Sequence, residues 1–206
     1  MKNNLGEGQN KISRIGIMGG TFNPIHLGHL ALAKAAKSEF ALDQIIFIPS
    51  GNPPHKKPGE VLDKEDRYKM VRLATRGIPG YIVSRIELDR PGFSYAVDTF
   101  NALKKKYGKK AKLFFIMGLD SINEILEWRK PLELFKLCEF IVGTRPGTKI
   151  RTFRRLVKFP PINLMELKED ISASAIRQKL KAGRSVTQLL PKVVDNYIKK
   201  KGLYLS

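Results

Sequence analysis

Strand-like apolar segments alternate with helix-like segments along most of the chain, and this alternation limits the possible folds more than any other feature. The strand-like segments are Arg14–Met18, Gln44–Pro49, Tyr81–Ser84, Lys112–Met117, Glu139–Gly143 and Ile162–Leu167. The helix-like segments are Leu27–Phe40, Asp63–Arg76, Ser94–Tyr107, Asp120–Glu127, Pro131–Phe135, Ser172–Lys181 and Gln188–Lys200. Apolar strands separated by helices are typical of a parallel sheet covered on both faces. The sequence therefore predicts an α/β fold with a doubly wound parallel sheet.

No internal repeat or linker-like stretch interrupts this alternation. A chain of 206 residues can build one domain with a substantial core, so we expect a single domain over residues 1–206. Within it, we expect residues 1–12 to be disordered in part and residues 172–206 to form a C-terminal helical part.

The composition excludes several classes of protein. With 42% hydrophobic and 28% charged residues, the chain has the balance of a globular protein rather than of a disordered one. Its apolar runs are far shorter than the ~18 residues of a membrane span, and its first residues lack the apolar region of a secretory signal. The single cysteine, Cys138, cannot form an intrachain disulfide. These features predict a cytoplasmic protein with no membrane partner.

The net charge of +19 indicates an anionic partner. The excess is concentrated towards the C-terminus, where residues 145–206 hold 15 basic and 4 acidic side chains. Nucleic acid, an anionic membrane surface and nucleotide phosphates all fit such a charge. Aromatic residues do not interleave regularly with the basic ones, which favours the alternative that many of these lysines only solvate the surface. Charge alone thus indicates a phosphate-rich partner without choosing it.

The loop after the first predicted strand combines glycines, a helix start and two of the three histidines. It reads GGTFNPIHLGH from Gly19 to His29, which is neither a GxGxxG motif nor a P-loop. The glycines let the backbone turn close to a ligand, and the following helix offers free N–H groups to an anion. His26 and His29 lie on one side of the first helical turn, and Gly28 places no side chain between them. The loop therefore predicts a phosphate site with two imidazole donors.

A metal site is the other interpretation of this histidine pair. Protein-bound zinc takes three or four side-chain ligands. No third ligand of suitable type stands near His26 and His29 in the sequence. The sequence therefore predicts no metal bound by the protein itself.

A second segment, ISASAIR at 171–177, has groups suited to a phosphate chain. Ser172 is a good helix N-cap, and Ser174 would then lie in the first turn. Arg177 follows Ser174 by three positions and so lies on the same side of that helix. A hydroxyl, a guanidinium and a helix N-terminus would face one ligand together.

The two segments together resemble the paired motifs of the nucleotidyltransferase superfamily, which transfers AMP or CMP to a phosphate-bearing acceptor. In length and motif order, over roughly residues 14–203, the chain is most similar to bacterial nicotinate-nucleotide adenylyltransferases. The resemblance implies a Rossmann-like fold of nucleotidyltransferase type, with the second phosphate-binding motif in residues 172–206. It implies His26, His29 and Arg177 as catalytic residues. It implies ATP contacts from residues of both motifs: Gly19, Gly20, Thr21, Phe22, Gly28, Ser172, Ser174 and Ile176.

Three middle segments are similar to the acceptor-binding parts of that family. NPPHK at 52–56 resembles a loop that brings Lys56 to the phosphates. RPGFSYAVDT at 90–99 matches a helix start whose backbone amides face the pyridine carboxylate. This match implies acceptor contacts from Ser94, Tyr95, Ala96 and Thr99. The family places an acid, here Asp120, near ribose or phosphate, and stacks a tryptophan, here Trp128, on the pyridine ring.

The chain departs from the family at several positions. Asn23 stands where many relatives have Asp, and Leu119 where Ala is common. Ala173 and Ala175 replace frequent hydroxyl residues, so backbone N–H groups must carry more of the phosphate binding. Arg129 follows Trp128 where relatives often have an aromatic residue. A cation there could attract a substrate carboxylate, and simple surface exposure fits the sequence equally well.

The resemblance implies attack by the 5′-phosphate of nicotinate mononucleotide on the α-phosphorus of ATP. That phosphate is already an anion near pH 7, so no general base is required and catalysis depends on positioning and charge neutralisation. We expect His26 and His29 at the α-phosphate, and Ser174 and Arg177 at the β- and γ-phosphates. We expect Mg²⁺ to be carried with ATP.

Other acceptors and another class of function remain open. Nicotinamide mononucleotide differs from the expected acceptor only by an amide in place of a carboxylate. Phosphopantetheine is less favoured, because the enzymes that adenylylate it tend to be shorter and to carry Thr at the position of His26. A basic nucleic-acid-binding module is a remote alternative that leaves both motifs unexplained. The oligomeric state is open, and a homo-oligomer is compatible with the sequence.

Overall fold

Parallel strands form one sheet through the protein, in a computed structural model that describes residues 12–57, 59–144, 162–166 and 171–205. The strands are β1 (Ser13–Gly20), β2 (Gln44–Pro49), β3 (Tyr81–Val83), β4 (Ala111–Gly118), β5 (Glu139–Thr144) and β6 (Ile162–Glu166). They lie in the order β3-β2-β1-β4-β5-β6, and each neighbouring pair is parallel. This is the strand order of a doubly wound, Rossmann-like sheet, so the predicted fold class is confirmed.

Helices follow the strands in chain order. They are α1 (Leu27–Glu39), α2 (Lys64–Thr75), α3 (Ala96–Tyr107), α4 (Leu119–Glu124), α5 (Pro131–Leu137), α6 (Ala173–Lys181) and α7 (Lys192–Lys201). Single 3-10 turns occupy Gly108–Lys110 and Ile125–Glu127. The second of these turns replaces the end of the predicted helix Asp120–Glu127, because the α-helix stops at Glu124.

The predicted last helix, Gln188–Lys200, begins later than expected. Residues 187–189 form a turn, residue 190 is a bend, and the helix starts after Pro191. Proline disfavours helical geometry in the residue before it, which keeps Leu190 out of the helix. The carbonyl of Leu189 accepts a hydrogen bond from the backbone N–H of Leu27, at 3.0 Å. The turn thereby fixes the C-terminal part against the start of α1.

The core lies on both faces of the sheet, as the apolar strands predict. On one face α1, α2, α6 and α7 pack around residues such as Met18, Phe47 and Ile116. On the other face α3, α4 and α5 pack around Ile17, Phe115 and their neighbours. Within the described part of the chain, no helix is long and apolar enough to cross a bilayer. Residues 1–12 lie, apart from Ile12, outside the described residues, as does Leu167 of the last predicted strand.

The strand order reverses between β1 and β4. The chain passes from β1 to β2 and β3 on one side, and then crosses back through α3 to β4 on the other side. In such sheets the loops after the two central strands separate and leave a crevice at their carboxyl ends. Here the crevice lies beyond Gly20 of β1 and Gly118 of β4.

Candidate active site

Two adjoining cavities open in this crevice. The larger has a volume of about 560 Å³ and the smaller about 230 Å³. Gly19, Gly20, Thr21 and Ser121 line both of them. The end of β1, with Thr21, is therefore a shared wall, and ligands in the two cavities would meet beside it.

The larger cavity brings together many of the residues predicted to contact ATP and its phosphates. Of the residues predicted for ATP or for catalysis, Gly19, Gly20, Thr21, Phe22, His29, Ser174 and Arg177 line it. Lys56 and Asp120, which were predicted to contact the acceptor, line the same cavity. Together these residues come from the end of β1, from the loops after β1 and β2 and from the starts of α1, α4 and α6. Lys56 and Arg177 supply positive charge, while Glu60 and Asp120 place carboxylates on the same wall. This mixture suits a polyanion that carries its own cation.

The smaller cavity gathers most of the residues predicted to bind the acceptor. Ser94, Tyr95, Ala96 and Trp128 line it. Pro53, Pro54 and Phe115 add apolar surface to the wall. The Trp128 ring lies with its centroid 6.1 Å from that of Phe115. A planar aromatic ligand fits such a wall, since aromatic rings pack well against one another.

His26 and Gly28 do not line either cavity. His26 is the N-cap residue of α1 and is only 6% exposed. A Cβ added to Gly28 would lie 3.1 Å from His26 Nδ1 and 3.4 Å from Ile171 Cβ. The absence of a side chain at Gly28 thus leaves room for the His26 ring, and contact between Gly28 and a ligand stays a prediction. Contact between His26 and a phosphate stays a prediction.

Three further predicted residues also lie away from the cavity walls. Ile176 is fully buried in the core. Ser172 is the predicted N-cap of α6, and its hydroxyl accepts a hydrogen bond from the Ala175 N–H at 3.3 Å. Thr99 is 2% exposed, and its hydroxyl donates to Glu87 Oε1 at 2.6 Å. Their described contacts are with the protein, so ligand contact by these side chains stays a prediction.

The two histidines of the first motif form a stacked pair. Their ring centroids lie 3.7 Å apart at an interplanar angle of 34°. The backbone N–H of His26 donates to His29 Nδ1 at 3.2 Å. Nδ1 of His29 is therefore the acceptor nitrogen, and in the neutral ring the proton sits on Nε2. The Nε2–H of His29 is the donor that this ring can offer to a ligand in the larger cavity.

Both imidazoles are held in the neutral form. Burial lowers the pKa of His26 from 6.5 to about 4. Burial, and secondly the neighbouring His26, lower the pKa of His29 well below 6.5. The pair therefore offers hydrogen-bond donors rather than positive charges near pH 7.

These pKa shifts predict that the ligand-free protein loses stability as the pH falls from about 6.5 towards 4. An unfolded histidine takes up a proton near pH 6.5, whereas the folded His26 does so only near pH 4. In that range the unfolded state binds more protons, so stability rises with pH, by about 1.4 kcal/mol per pH unit for this group. Urea midpoints at pH 7.5, 6.5 and 5.5 measure the effect.

The matched comparison for this prediction is His26→Gln against His55→Asn. The His26 variant should show a flatter pH dependence than the wild type, because the group that takes up the proton is gone. The His55 variant removes a histidine from an exposed loop and should keep the wild-type slope. Equal slopes for all three proteins would contradict the assignment of the pH effect to His26.

Asn23 connects the loop after β1 to three other parts of the chain. Its Nδ2 donates to the Glu60 carbonyl at 3.3 Å, and its Oδ1 accepts from the Leu62 N–H at 3.4 Å and from the Tyr204 hydroxyl at 2.7 Å. Its backbone carbonyl accepts from Arg177 Nη1 at 2.9 Å. An aspartate here could not donate to the Glu60 carbonyl. The structure therefore uses the amide of Asn23, where many relatives have Asp, as a hydrogen-bond donor to Glu60.

Arg67 of α2 holds the loops that line the two cavities, and the sequence analysis did not predict this role. Its side chain is fully buried, and it donates to the carbonyls of Leu62 (2.9 Å), Thr21 (2.8 Å) and Gly51 (3.1 Å). Burial lowers its pKa. Arg67 thereby joins the loops after β1 and β2, which carry residues of both cavities. A signal did exist: Arg67 falls on the apolar stripe of α2, three and four residues before Met70 and Val71.

Ser94 likewise joins two loops. Its hydroxyl oxygen accepts from the N–H groups of Gly51 at 2.9 Å and Asn52 at 3.1 Å, and it is also hydrogen-bonded to Glu87. A Cβ on Gly51 would lie only 2.2 Å from the Glu87 carbonyl oxygen, so only glycine allows this approach. Ser94 therefore holds the loop after β2 in place at the edge of the smaller cavity.

Ser121 lines both cavities, and no motif in the sequence predicted it as a site residue.

The chain matches a family model, and it is similar to individual enzymes and to solved structures. Residues 17–179 match the cytidylyltransferase-like family model. A "probable nicotinate-nucleotide adenylyltransferase" of Thermoanaerobacter sp. (strain X514) is 46% identical over 198 residues, covering 93% of this chain and 94% of the relative. One of Moorella thermoacetica is 46% identical over 198 residues, covering 93% and 91%.

The structural similarity concerns the fold. Plasmodium falciparum nicotinic acid mononucleotide adenylyltransferase, solved in complex with NaAD, matches with a TM-score of 0.77 at 21% identity. The match covers 93% of this chain and 97% of that one. The same enzyme complexed with APC matches with a TM-score of 0.75 at 20% identity.

Proposed function

Because the chain belongs to the cytidylyltransferase-like family, we propose that it transfers the AMP group of ATP to nicotinate mononucleotide and releases pyrophosphate. The product is nicotinate adenine dinucleotide, which serves NAD biosynthesis. The observation that carries the proposal is the pair of adjoining cavities, one polar with side chains of both charges and the other with three aromatic residues. Relatives at 46% identity bear the name of this activity, which supports the choice of acceptor.

ATP occupies the larger cavity in this proposal. Arg177 and Ser174 lie on its wall near the N-terminus of α6, where free backbone N–H groups favour an anion. These groups bind the β- and γ-phosphates. Lys56, in the loop after β2, adds a second cationic side chain to the phosphate contacts. Gly19 and Gly20, at the end of β1, have no side chains and let the α-phosphate approach the backbone at the wall that both cavities share.

Nicotinate mononucleotide occupies the smaller cavity. Trp128 and Phe115 provide an aromatic wall for the pyridine ring, and the backbone at Tyr95 and Ala96 begins α3 beside it. The N-cap of α3 makes no side-chain hydrogen bond to the first turn, so these N–H groups are available to a carboxylate. Asp120, on the larger cavity, lies on the ribose or phosphate side. The 5′-phosphate then points towards the shared wall and the α-phosphorus of ATP.

Catalysis in this arrangement rests on positioning and hydrogen bonding. The attacking phosphate is an anion near pH 7, so it needs no general base. His29 donates its Nε2–H to an oxygen of the α-phosphate, where negative charge is redistributed as the bond to the leaving pyrophosphate breaks. His26 positions His29 through the ring stack and through its backbone N–H.

Mg²⁺ enters the proposal as part of the MgATP substrate. Among the described residues, no three His, Cys, Asp or Glu side chains come together as ligands for a metal. The carboxylate of Asp120 is exposed at the larger cavity. The phosphate oxygens and water supply most of the coordination shell, which is usual for this ion.

A substrate comparison tests the proposal. The protein is incubated with MgATP and one of nicotinate mononucleotide, nicotinamide mononucleotide or phosphopantetheine, and pyrophosphate release is measured. We expect fast release with nicotinate mononucleotide. Arg177→Met should abolish it, whereas Arg184→Met, an exposed arginine outside both cavities, should not. Fast release with phosphopantetheine alone, or with none of the three, would overturn the proposal.

A further inference from the structure

Arg129 is a charged residue of the smaller cavity to which the proposed reaction assigns no role. Among the described residues on that cavity's wall, it is the single Lys or Arg. Its guanidinium carbon lies 4.6 Å from the centroid of the Tyr95 ring, in a cation–π arrangement. Its side chain is 50% exposed. Arg129 therefore reaches the cavity across the ring of the residue that caps α3.

The negative charges around this cavity are unfavourable for a carboxylate ligand. Glu87 lines the cavity and is buried. Its carboxylate accepts from the Thr99 hydroxyl, and the Arg90 guanidinium lies 4.0 Å away. Asp98, in the first turn of α3, adds a second carboxylate near the helix start. A ligand carboxylate placed at this end of α3 needs a nearby cation to offset them.

Arg129 is placed to supply that cation. Its Nη1 lies 3.8 Å from Asp98 Oδ2, and both side chains are substantially exposed. Ion pairs of this kind are weak, so the guanidinium can turn towards a ligand at small cost. The planar group can then remain stacked on Tyr95 while its N–H edge forms hydrogen bonds with a carboxylate.

We infer that Arg129 determines the preference of this site for an acceptor that bears a carboxylate over one that bears a carboxamide. The inference rests on the proposed function and adds a residue to it. The contact between Arg129 and the acceptor carboxylate forms on the pyridine ring, far from the reacting phosphates. Its interaction energy is therefore the same in the substrate complex and in the transition state. It therefore lowers the KM for the carboxylate acceptor and leaves kcat unchanged.

The test compares Arg129→Gln with wild type, using nicotinate mononucleotide and nicotinamide mononucleotide as probes. We expect Arg129→Gln to lower kcat/KM for the carboxylate substrate by about tenfold or more, through KM, since hydrogen bonds to charged groups have about that effect. The value for the amide substrate should stay within about twofold, because a neutral group gains little from the charge. Arg129→Lys keeps the charge and should fall between the two. Lys130→Gln removes the neighbouring cation, which pairs with Glu133 and lies outside the cavity, and should match wild type.

Binding provides a second readout that does not need turnover. Trp128 is the only tryptophan of the chain and lines the same cavity, so its fluorescence reports the binding of either mononucleotide. The Kd for nicotinate mononucleotide should rise in Arg129→Gln, and the Kd for the amide should not.

The outcomes separate this inference from the proposed function. Equal losses for both acceptors would show that Arg129 acts only by supporting Tyr95, and would overturn the inference. Unchanged selectivity would overturn it as well. In both cases a wild type active on nicotinate mononucleotide leaves the proposed function standing. A wild type that neither binds nor converts that substrate would overturn both.

Discussion

We expect His29→Asn to slow pyrophosphate release from MgATP and nicotinate mononucleotide by about 10²–10³-fold, as for loss of other preorganised donors. Asparagine retains an acceptor close to the position of Nδ1, so it can still accept the His26 backbone N–H that His29 accepts at 3.2 Å. It has no atom at the position of Nε2, so the N–H donor that His29 can offer at the larger cavity is lost. The effect should appear in kcat, because the hydrogen bond strengthens as charge shifts in the transition state.

The His29→Gln variant is the matched comparison for this prediction. Glutamine can place an amide N–H near the position of Nε2, and it should recover part of the rate. The urea midpoint of each variant at pH 7.5 shows whether the fold is intact. A His29→Asn rate within tenfold of wild type, in a folded protein, would exclude His29 as the phosphate donor.

Arg67→Met should lower the free energy of unfolding by about 3 kcal/mol or more, because three carbonyls lose a charged donor. Those carbonyls belong to Thr21, Gly51 and Leu62. Relief from burying a charge offsets part of the cost, but a few kcal/mol of unsatisfied polar groups outweigh it. In a chain of this size the loss corresponds to a fall in melting temperature of about 6–12 °C. Activity should also fall, since the loops after β1 and β2 lose their common support.

Arg72→Met is the control for that prediction. Arg72 lies on the same helix but is exposed, and removing it should change the stability by less than about 0.5 kcal/mol. Thermal and urea unfolding of the three proteins give the comparison. Similar stabilities for Arg67→Met and wild type would show that water can replace the guanidinium beneath the loops.

The order of strands and helices could be predicted because each element carries its own local signal. The sequence predicts the strand β2 with its observed bounds, Gln44–Pro49, since a short, mostly apolar run between turn residues is typical of a buried strand. The helix α6 was also predicted, with Ser172 as its N-cap. Boundaries that depend on distant contacts were less accurate. The turn at 187–189 forms partly because Leu189 accepts a hydrogen bond from Leu27.

The candidate site could be predicted where a motif keeps its chemistry within a few residues. Gly19, Gly20, Thr21 and His29 are close in sequence and line one cavity. Ser174 and Arg177 keep the helical spacing that places them on the same cavity. Matching a motif did not separate residues that face a cavity from those that lie away from it. Thr99 and Ile176 are buried outside both cavities, and their contact with a ligand stays a prediction.

The sequence by itself determined the α/β class, the order of strands, helices and loops, and the family to which the chain belongs. Only the tertiary structure decided that Arg67 holds two loops together, that Asn23 joins Glu60, Leu62 and Tyr204, and that Arg129 lies over Tyr95 at a cavity. The physical reason is range. Hydrophobic periodicity, capping and turn chemistry act between residues a few positions apart, and the chain records them directly. A buried guanidinium or amide finds its partners only after the sheet has brought together loops that lie far apart in the sequence.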